Sequence, residues 1–185
     1  MCYDSSGDYL FVGFSDGRVG VYTTDGSFLF SQCIVPTTEQ SQSFCALNWL
    51  GSSESGMIVV ATVRNEVIVI TGLNLPLLRR SLQEDDTQTI LRERDNMNVL
   101  KYDFSSFFSR IACMAVVGDS SSSFCYDGDH SVFIAGEGNV TLLRVDFSNG
   151  HRIIRTVLTP SPALPLATPI LCTLQHLHPH ALSPQ

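Results

Sequence analysis

The chain has 185 residues, 44% of them hydrophobic, which is enough for one ordinary domain with a sizeable core. Charged residues make up only 16%, and the formal net charge is −7. This acidic balance disfavours phosphate backbones and anionic lipid surfaces as partners, so we expect neither nucleic-acid binding nor membrane insertion.

The cysteines and the amino-terminal residues indicate the compartment. Six cysteines are spread along the chain without a C-x-x-C pair, too sparsely for a disulfide scaffold, and we interpret them as small buried apolar residues. Met1-Cys2-Tyr3-Asp4 lacks the basic and apolar regions of a signal peptide. Met57 to Ile70 is the most apolar stretch, but Arg64-Asn65-Glu66 interrupts it and it is too short to span a bilayer. The sequence therefore predicts a cytoplasmic protein.

The first predicted elements form a meander. Apolar residues 9–14 precede Ser15-Asp16-Gly17, and Asp-Gly suits the positive φ of a tight hairpin turn. Arg18–Tyr22 then alternates small or polar with large apolar residues, Thr24-Asp25-Gly26 makes a second turn, and Ser27–Gln32 makes a third strand. Three short strands joined by tight turns predict an antiparallel sheet.

The same pattern returns twice farther along the chain. The predicted strands are Phe44–Leu50, Met57–Thr62, Val67–Thr71, Ile111–Val117, His130–Gly136, Val140–Asp146 and His151–Leu158. Corresponding turns lie about fifty and then about seventy residues apart, and the first interval is typical of a propeller repeat. The longer second interval requires an insertion.

A polar, charged segment from about 82 to 108 supplies that insertion. Asp85 and Gln88 fit a helix-capping box, so we predict a short helix from about Glu84 to Arg94. The arginines of this region form either an ordinary solvated face or a partner contact. These arginines are Arg79, Arg80, Arg92 and Arg94.

Each predicted meander carries apolar residues on both faces and cannot bury them alone. Stacking similar sheets face to face buries both faces, which predicts an all-β, WD40-like β-propeller with two to three blades over residues 1–158. A closed ring needs at least ~4 blades, so we expect an incomplete propeller. Met1 falls where the innermost strand of the first blade should already be running, so we expect amino-terminal blades to be missing.

Residues 159–185 differ in composition from the rest. They contain six prolines but no Asp, Glu, Lys, Arg or Gly. Proline at this density excludes strands and helices, so we predict a disordered tail. The tail is either a natural linker or a read-through or mis-spliced end, because the propeller pattern stops abruptly at Leu158.

Four sequence motifs occur in an order that distinguishes one family from β-propellers in general. They are the strand and turn Gly7–Val19, the segment Gly72–Leu78 with its N-L-x-L-L character, the strand Ile111–Asp119, and the turn Val132–Asn139. In this order they resemble the amino-terminal propeller of the kinetochore Rod (rough deal) family, over roughly Cys2 to Leu158. The Trp-Asp pair of WD repeats is absent, since Leu50 follows Trp49, as in degenerate propellers of this kind.

The resemblance implies a non-catalytic protein-interaction module of the Rod–Zwilch–Zeste-white assembly. Its expected partners are Zwilch-like and Zeste-white-like subunits, and its expected place is the kinetochore and spindle in mitosis, in the spindle checkpoint. The alternative is the propeller of a vesicle-tethering or membrane-trafficking subunit, which has the same fold.

Two groups of residues in the segment 118–130 resemble catalytic or metal-binding motifs. Gly118-Asp119-Ser120 and Asp127-x-x-His130 resemble hydrolase motifs, but they are only about ten residues apart and no G-x-S-x-G elbow exists. Cys125 with Asp127, Asp129 and His130 lacks the second ligand pair of a zinc site and the carboxylate ladder of a calcium loop. We therefore expect a surface loop.

Two further patterns also have a simpler interpretation than a ligand-binding site. Gly136-Glu137-Gly138 lacks the lysine and the remaining glycines of a phosphate loop, so we predict a turn. His176, His178 and His180 alternate in the predicted tail, where adventitious metal affinity is the simpler interpretation. The sequence thus predicts no enzyme activity, no cofactor and no metal.

Overall fold

Three antiparallel sheets make up most of the fold. The computed structural model describes residues 1–4, 6–34, 44–116, 131–147 and 153–159, with residues 153–157 described by their backbone alone. Within these ranges each sheet contains four strands, and every strand pairs with its neighbour in chain order. Each sheet is therefore a meander, as the repeated strand-turn-strand pattern predicts.

The first sheet begins at the second residue of the chain. Its strands are β1 (Cys2–Tyr3), β2 (Tyr9–Gly13), β3 (Arg18–Thr23) and β4 (Phe28–Cys33). Gly17 and Gly26 lie in its two tight turns with φ of +82° and +90°. These are the left-handed conformations that the Asp-Gly pairs predict.

The other two sheets follow in chain order. The second contains β5 (Phe44–Gly51), β6 (Gly56–Thr62), β7 (Glu66–Leu73) and β8 (Asn98–Asp103). The third contains β9 (Phe108–Val116), β10 (Ser131–Gly138), β11 (Leu142–Asp146) and β12 (Ile153–Leu158). Helices α1 (Leu75–Gln83) and α2 (Thr87–Asp95) lie between β7 and β8. Three sheets correspond to the larger of the two blade numbers that the sequence predicts.

The insertion differs from its prediction. The helical part begins at Leu75 rather than near Glu84, and residues 98–103 are not part of it but form the outer strand β8. The early start has a local cause, because the Asn74 side chain caps α1 by accepting a hydrogen bond from Leu77 N at 3.0 Å. Proline in the first turn also suits a helix start.

The first and second sheets pack together along a first seam. Phe11 stacks on Trp49 there, with ring centroids 4.7 Å apart, and the two side chains are 0% and 5% exposed. Further buried residues from both sheets complete this seam: Tyr9, Val19, Val21, Leu29, Leu47, Ile58, Val60 and Ile70. Each large apolar side chain buried here favours folding by ~1.5–3 kcal/mol, so the seam fixes one sheet on the other.

The second and third sheets pack along a second seam on the opposite face of the middle sheet. Its residues from the middle sheet include Met57, Val59, Ala61, Val67 and Val69, and those from the third sheet include Phe108, Ile111, Met114, Val132, Ile134, Leu143 and Val145. Every residue of β6 is buried. Because both faces of this strand are covered, its sequence is apolar throughout instead of alternating.

Asn65 adds a polar link across the second seam. It lies in the turn between β6 and β7 with φ of +62° and is 8% exposed. Its Nδ2 donates to Ser109 O at 2.9 Å, and its Oδ1 accepts from Ile111 N at 2.8 Å. One amide side chain thereby holds β9 in register against the second sheet.

Candidate functional site

Helix α1 is anchored to the sheets through the first seam. Leu75 and Leu78 are buried in that core, and Leu82 packs against its edge. Leu75 N also donates to Ser53 O of the β5–β6 loop at 3.0 Å. Helix α1 is therefore part of the packed core, and it fixes the base of the insertion.

Helix α2 presents its outer side to solvent. Its N-cap is Asp86, whose Oδ1 accepts from Thr89 N at 3.1 Å; the predicted cap Asp85 lies one residue earlier, with φ of +54°. Leu91 is 53% exposed on this helix, whereas Glu93 is only 9% exposed. The pair of helices is thus an anchored platform with an accessible outer surface.

The structure separates the four candidate arginines by their environments. Arg79 forms an ion pair with Asp25 of the first sheet at 3.7 Å. Arg80, Arg92 and Arg94 are exposed. Arg79 therefore belongs to the packing of α1 on the first sheet, and the other three are accessible to a partner.

The three accessible arginines do not form one basic patch. Arg92 and Arg94 are two positions apart on α2, so helical geometry directs their side chains to different sides. Both lie in the last turn of α2, where positive charge complements the helix dipole. The insertion also contains five carboxylates, Glu84, Asp85, Asp86, Glu93 and Asp95. A partner here would meet alternating charges rather than a uniformly positive surface.

A cleft of about 220 Å³ lies between α1 and the β3–β4 turn. Its lining comprises Thr23, Asp25, Ser27, Phe28, Leu29, Arg79, Leu82 and Gln83. A hydrogen bond from the Thr23 hydroxyl, reinforced by Ser27 N at 3.0 Å, lowers the pKa of Asp25 to about 2. The carboxylate therefore keeps its charge beside Arg79 over most of the acid range.

Replacing Thr23 with Val is expected to raise the pKa of Asp25 towards the ordinary value of ~3.9, because the main hydrogen bond to the carboxylate is lost. In the wild type the lowered folded-state pKa adds stability that is complete above about pH 4 and is lost as the pH falls towards 2. Carboxyl ¹³C shifts titrated by NMR measure the midpoint. Thr23→Ser keeps the hydroxyl and serves as the control. Equal midpoints in the wild type and Thr23→Val would contradict this role of Thr23.

The outer face of the first sheet is apolar and has no sheet packed on it among the described residues. Tyr3, Leu10, Tyr22 and Phe28 are successive cross-strand partners from β1 to β4 and so share one face. Tyr3, Phe28 and Phe14 are 58%, 54% and 38% exposed. We call this the head face, defined by Tyr3, Leu10, Val12, Phe14, Tyr22 and Phe28.

On the outer face of the third sheet, no other sheet is packed among the described residues. Ala115, Phe133 and Arg144 are cross-strand partners on it, and Ala135 pairs with Leu142 beside them. All five are partly buried, and the residues that alternate with them and face the second seam are Met114, Val132, Ile134, Leu143 and Val145. We call this the tail face, defined by Ala115, Phe133, Ala135, Leu142 and Arg144. Arg144 Nε is buried there without a hydrogen-bond partner.

Several predicted features lie outside the described residues. These are the hydrolase-like and metal-like groups at Asp119, Ser120, Cys125, Asp127, Asp129 and His130, and the tail with His176, His178 and His180. Among the residues that are described, no cluster of three or more His, Cys, Asp or Glu side chains is arranged to hold a metal ion. Neither described helix has the length and apolar character needed to span a membrane.

The described cysteines are less uniform than predicted. Burial raises the pKa of the Cys2 thiol to about 12 and also raises that of Cys45. Cys113 is half-buried, whereas Cys33, at the end of β4, is exposed. The interpretation of the cysteines as buried apolar residues is therefore wrong for Cys33, because an edge-strand terminus leaves its side chain uncovered.

Comparison with known proteins supports the architecture. No family model and no curated protein sequence matches the chain. Among solved structures, it is similar to the Myceliophteria thermophila Cps50 (Swd1) β-propeller domain, with a TM-score of 0.53 and 14% sequence identity. The alignment covers 88% of this chain and 39% of that one, so the chain spans about two fifths of the length of its structural neighbour.

The similarity identifies the three stacked sheets as blades of a propeller-like fold. The all-β, WD40-like propeller predicted from the sequence is thereby confirmed. At this level of identity the likeness extends to the fold only.

Proposed function

We propose that the chain is a non-catalytic protein-interaction module in which a partial propeller carries an inserted helical platform. The observation that carries this proposal is the anchoring of α1 in the first seam combined with the exposure of α2. Leu75 and Leu78 fix the base of the platform, whereas Leu91, Arg92 and Arg94 remain accessible. Anchored surfaces with an accessible apolar residue beside arginines suit protein recognition, since arginine and apolar anchors are enriched at interfaces.

We further propose that the partner is a subunit of the Rod–Zwilch–Zeste-white kinetochore assembly, with Zwilch as the neighbour of the platform. The order of the motifs between Gly7 and Asn139 supports this assignment, as does the placement of the helical insertion after the segment Gly72–Leu78. Action in the mitotic spindle checkpoint, at the kinetochore and spindle, follows from the same proposal.

Charge reversal of the accessible arginines tests the proposal. The variant combining Arg80→Glu, Arg92→Glu and Arg94→Glu is expected to reduce capture of purified Zwilch on the order of tenfold, because attractive contacts become repulsive. Quantitative pull-down with the wild-type chain as reference measures the change. Arg79 is left intact, since it faces Asp25 of the first sheet rather than a partner.

Arg18→Glu is the matched control. Arg18 is exposed at the end of β3 opposite the turn that contacts α1, so its reversal changes the net charge by the same amount as each single reversal on the platform, without touching the platform. Equal capture by the wild type and the triple variant would overturn the platform contact. Absence of Zwilch capture by the wild type would overturn the Rod assignment, and proximity labelling in mitotic and interphase cells would then test the vesicle-tethering alternative.

A further inference from the structure

The cleft between α1 and the β3–β4 turn has two walls of opposite charge. The wall from the first sheet carries Asp25 and Phe28. The wall from α1 carries Arg79, Leu82 and Gln83, which are three and four positions apart and therefore share one side of the helix. Because α1 is anchored in the first seam, both walls are parts of the packed fold.

The apolar part of the cleft is accessible. Phe28 is 54% exposed, and its ring lies against that of Tyr22 with centroids 5.4 Å apart. Leu82 is half-buried on the opposite wall, and Leu29 is buried beside them. A ring entering the cleft would therefore meet an aromatic side chain on one wall and a leucine on the other. Tilted or offset contacts of this kind favour aromatic groups.

The Asp25 carboxylate retains an oxygen that can accept a further hydrogen bond. Its Oδ1 accepts from the Thr23 hydroxyl and from Ser27 N. Its Oδ2 faces Arg79 Nη2 at 3.7 Å, which is too long for a hydrogen bond, and the Asp25 side chain is 58% exposed. A hydroxyl group in the cleft would therefore find in Oδ2 a charged acceptor, and hydrogen bonds to charged groups are the stronger ones.

The volume and the charges of the cleft select one kind of side chain. About 220 Å³ is less than the ~300–1,000 Å³ of small-molecule pockets and suits a single large side chain. Arg79 disfavours a lysine or an arginine, and Asp25, which keeps its charge over most of the acid range, disfavours a carboxylate or a phosphate. Tyrosine is neutral and aromatic, and its hydroxyl is a hydrogen-bond donor.

We propose that this cleft is a docking site for an unphosphorylated tyrosine side chain of a protein partner. The tyrosine ring lies between Phe28 and Leu82, and its hydroxyl donates to Asp25 Oδ2. Tyrosine is enriched among the side chains that fill pockets at the centres of interfaces. Phosphorylation of that tyrosine would prevent docking, because it adds a charge of about −1.5 to −2 beside Asp25. The site extends the proposed role in protein binding, but it requires neither Zwilch nor the outer surface of α2.

An NMR titration of the ¹⁵N-labelled chain with N-acetyltyrosinamide tests the site. Saturable shifts are expected at the backbone amides of Ser27, Phe28 and Gln83, with a dissociation constant on the order of 1 mM. N-acetylphenylalaninamide lacks the hydroxyl and is expected to bind on the order of tenfold more weakly. The O-phosphorylated tyrosine probe is expected not to bind. Absence of saturation by the tyrosine probe, shifts confined to other residues, or equal affinity for any two of the three probes would overturn the proposal.

Phe28→Ala assigns the aromatic contact to this cleft. The variant loses one wall and is expected to bind the tyrosine probe on the order of tenfold more weakly. Phe14→Ala is the matched control, since Phe14 is also an exposed aromatic residue of the first sheet but does not line the cleft, and it should bind as the wild type does. Equal affinities of the two variants would contradict the contact with Phe28.

Asp25→Asn tests the exclusion of phosphate. Asparagine keeps a carbonyl acceptor for the turn but removes the charge, so this variant is expected to bind the phosphorylated probe that the wild type rejects. Asp16→Asn makes the same change of charge in the β2–β3 turn and should still reject it. Rejection by Asp25→Asn as well would contradict the role of Asp25. The spectrum of each variant verifies folding, and the three probes on the wild type decide the question where a variant does not fold. Zwilch capture is measured separately, so its failure would leave these results unchanged.

Discussion

Phe11→Ala is expected to lower the free energy of unfolding by about 3–5 kcal/mol, one of the largest effects available in this chain. Phe11 is fully buried and stacks on Trp49, so its removal loses apolar burial and a ring contact and leaves a cavity between two sheets. Domains of this kind are stable by only ~5–15 kcal/mol, so the variant would be unfolded over a large part of a urea titration.

The fluorescence of Trp49 reports this transition directly, because the chain contains one tryptophan and Phe11 lies against it. Phe14→Ala is the matched control: Phe14 is 38% exposed on the head face, and its truncation is expected to cost much less. Equal urea midpoints for the two variants would contradict the assignment of Phe11 to the first seam.

Asn65→Ala is expected to lower the free energy of unfolding by about 2–4 kcal/mol. The substitution removes two hydrogen bonds across the second seam, leaves Ile111 N without its acceptor, and places alanine at a φ of +62°, which asparagine tolerates better. Urea unfolding followed by circular dichroism gives the change.

Two comparison variants divide this effect into its causes. Asn65→Gly relieves the backbone conformation but still lacks both hydrogen bonds, so it is expected to recover only part of the loss. Asn139→Ala removes one exposed hydrogen bond, to Ser106 O at 3.0 Å, and is expected to cost far less. Near wild-type stability of Asn65→Ala would show that the link to Ser109 and Ile111 does not hold the seam.

The sheet architecture is largely encoded in local sequence signals. Asp16-Gly17 and Asp25-Gly26 identify their hairpin turns because few other residue pairs adopt positive φ without strain. The unbroken apolar run from Met57 to Ala61 marks a strand buried on both faces, and β6 is such a strand. Successive meanders with two apolar faces then leave stacking as the only way to bury them.

The elements that sequence patterns missed are those decided by tertiary contacts. β8 alternates only over its last four residues, with Leu100 and Tyr102 packed against the second seam and Lys101 and Asp103 exposed, and this short pattern does not stand out within a charged segment until β7 is paired with it. Helix α1 follows an apolar strand directly, and its leucines resemble a continuation of that strand until Asn74 is recognised as a cap. The Asn74 cap and the proline after it are local signals for α1, whereas β8 is recognised only with β7 beside it.

The candidate site was predictable in composition but not in arrangement. The sequence indicates that Arg79, Arg80, Arg92 and Arg94 belong to an inserted segment, yet it gives no sign that Arg79 turns towards Asp25, some fifty residues earlier. Likewise, the alternation of Leu10, Val12 and Phe14 with Tyr9 and Phe11 reveals two apolar faces, but only packing shows which of them is covered.

Within each sheet, every strand after the first pairs with its immediate predecessor, and this order has a consequence for biosynthesis. A nascent chain emerging from the ribosome can complete the hairpins of the first sheet before any residue of the second is available, since no pairing partner lies farther along. The apolar face that the first sheet buries in the first seam, however, stays exposed until the second sheet has been synthesised. Translation pauses shortly after Cys33 would thus prolong a vulnerable interval, during which chaperones would be expected to engage the growing polypeptide.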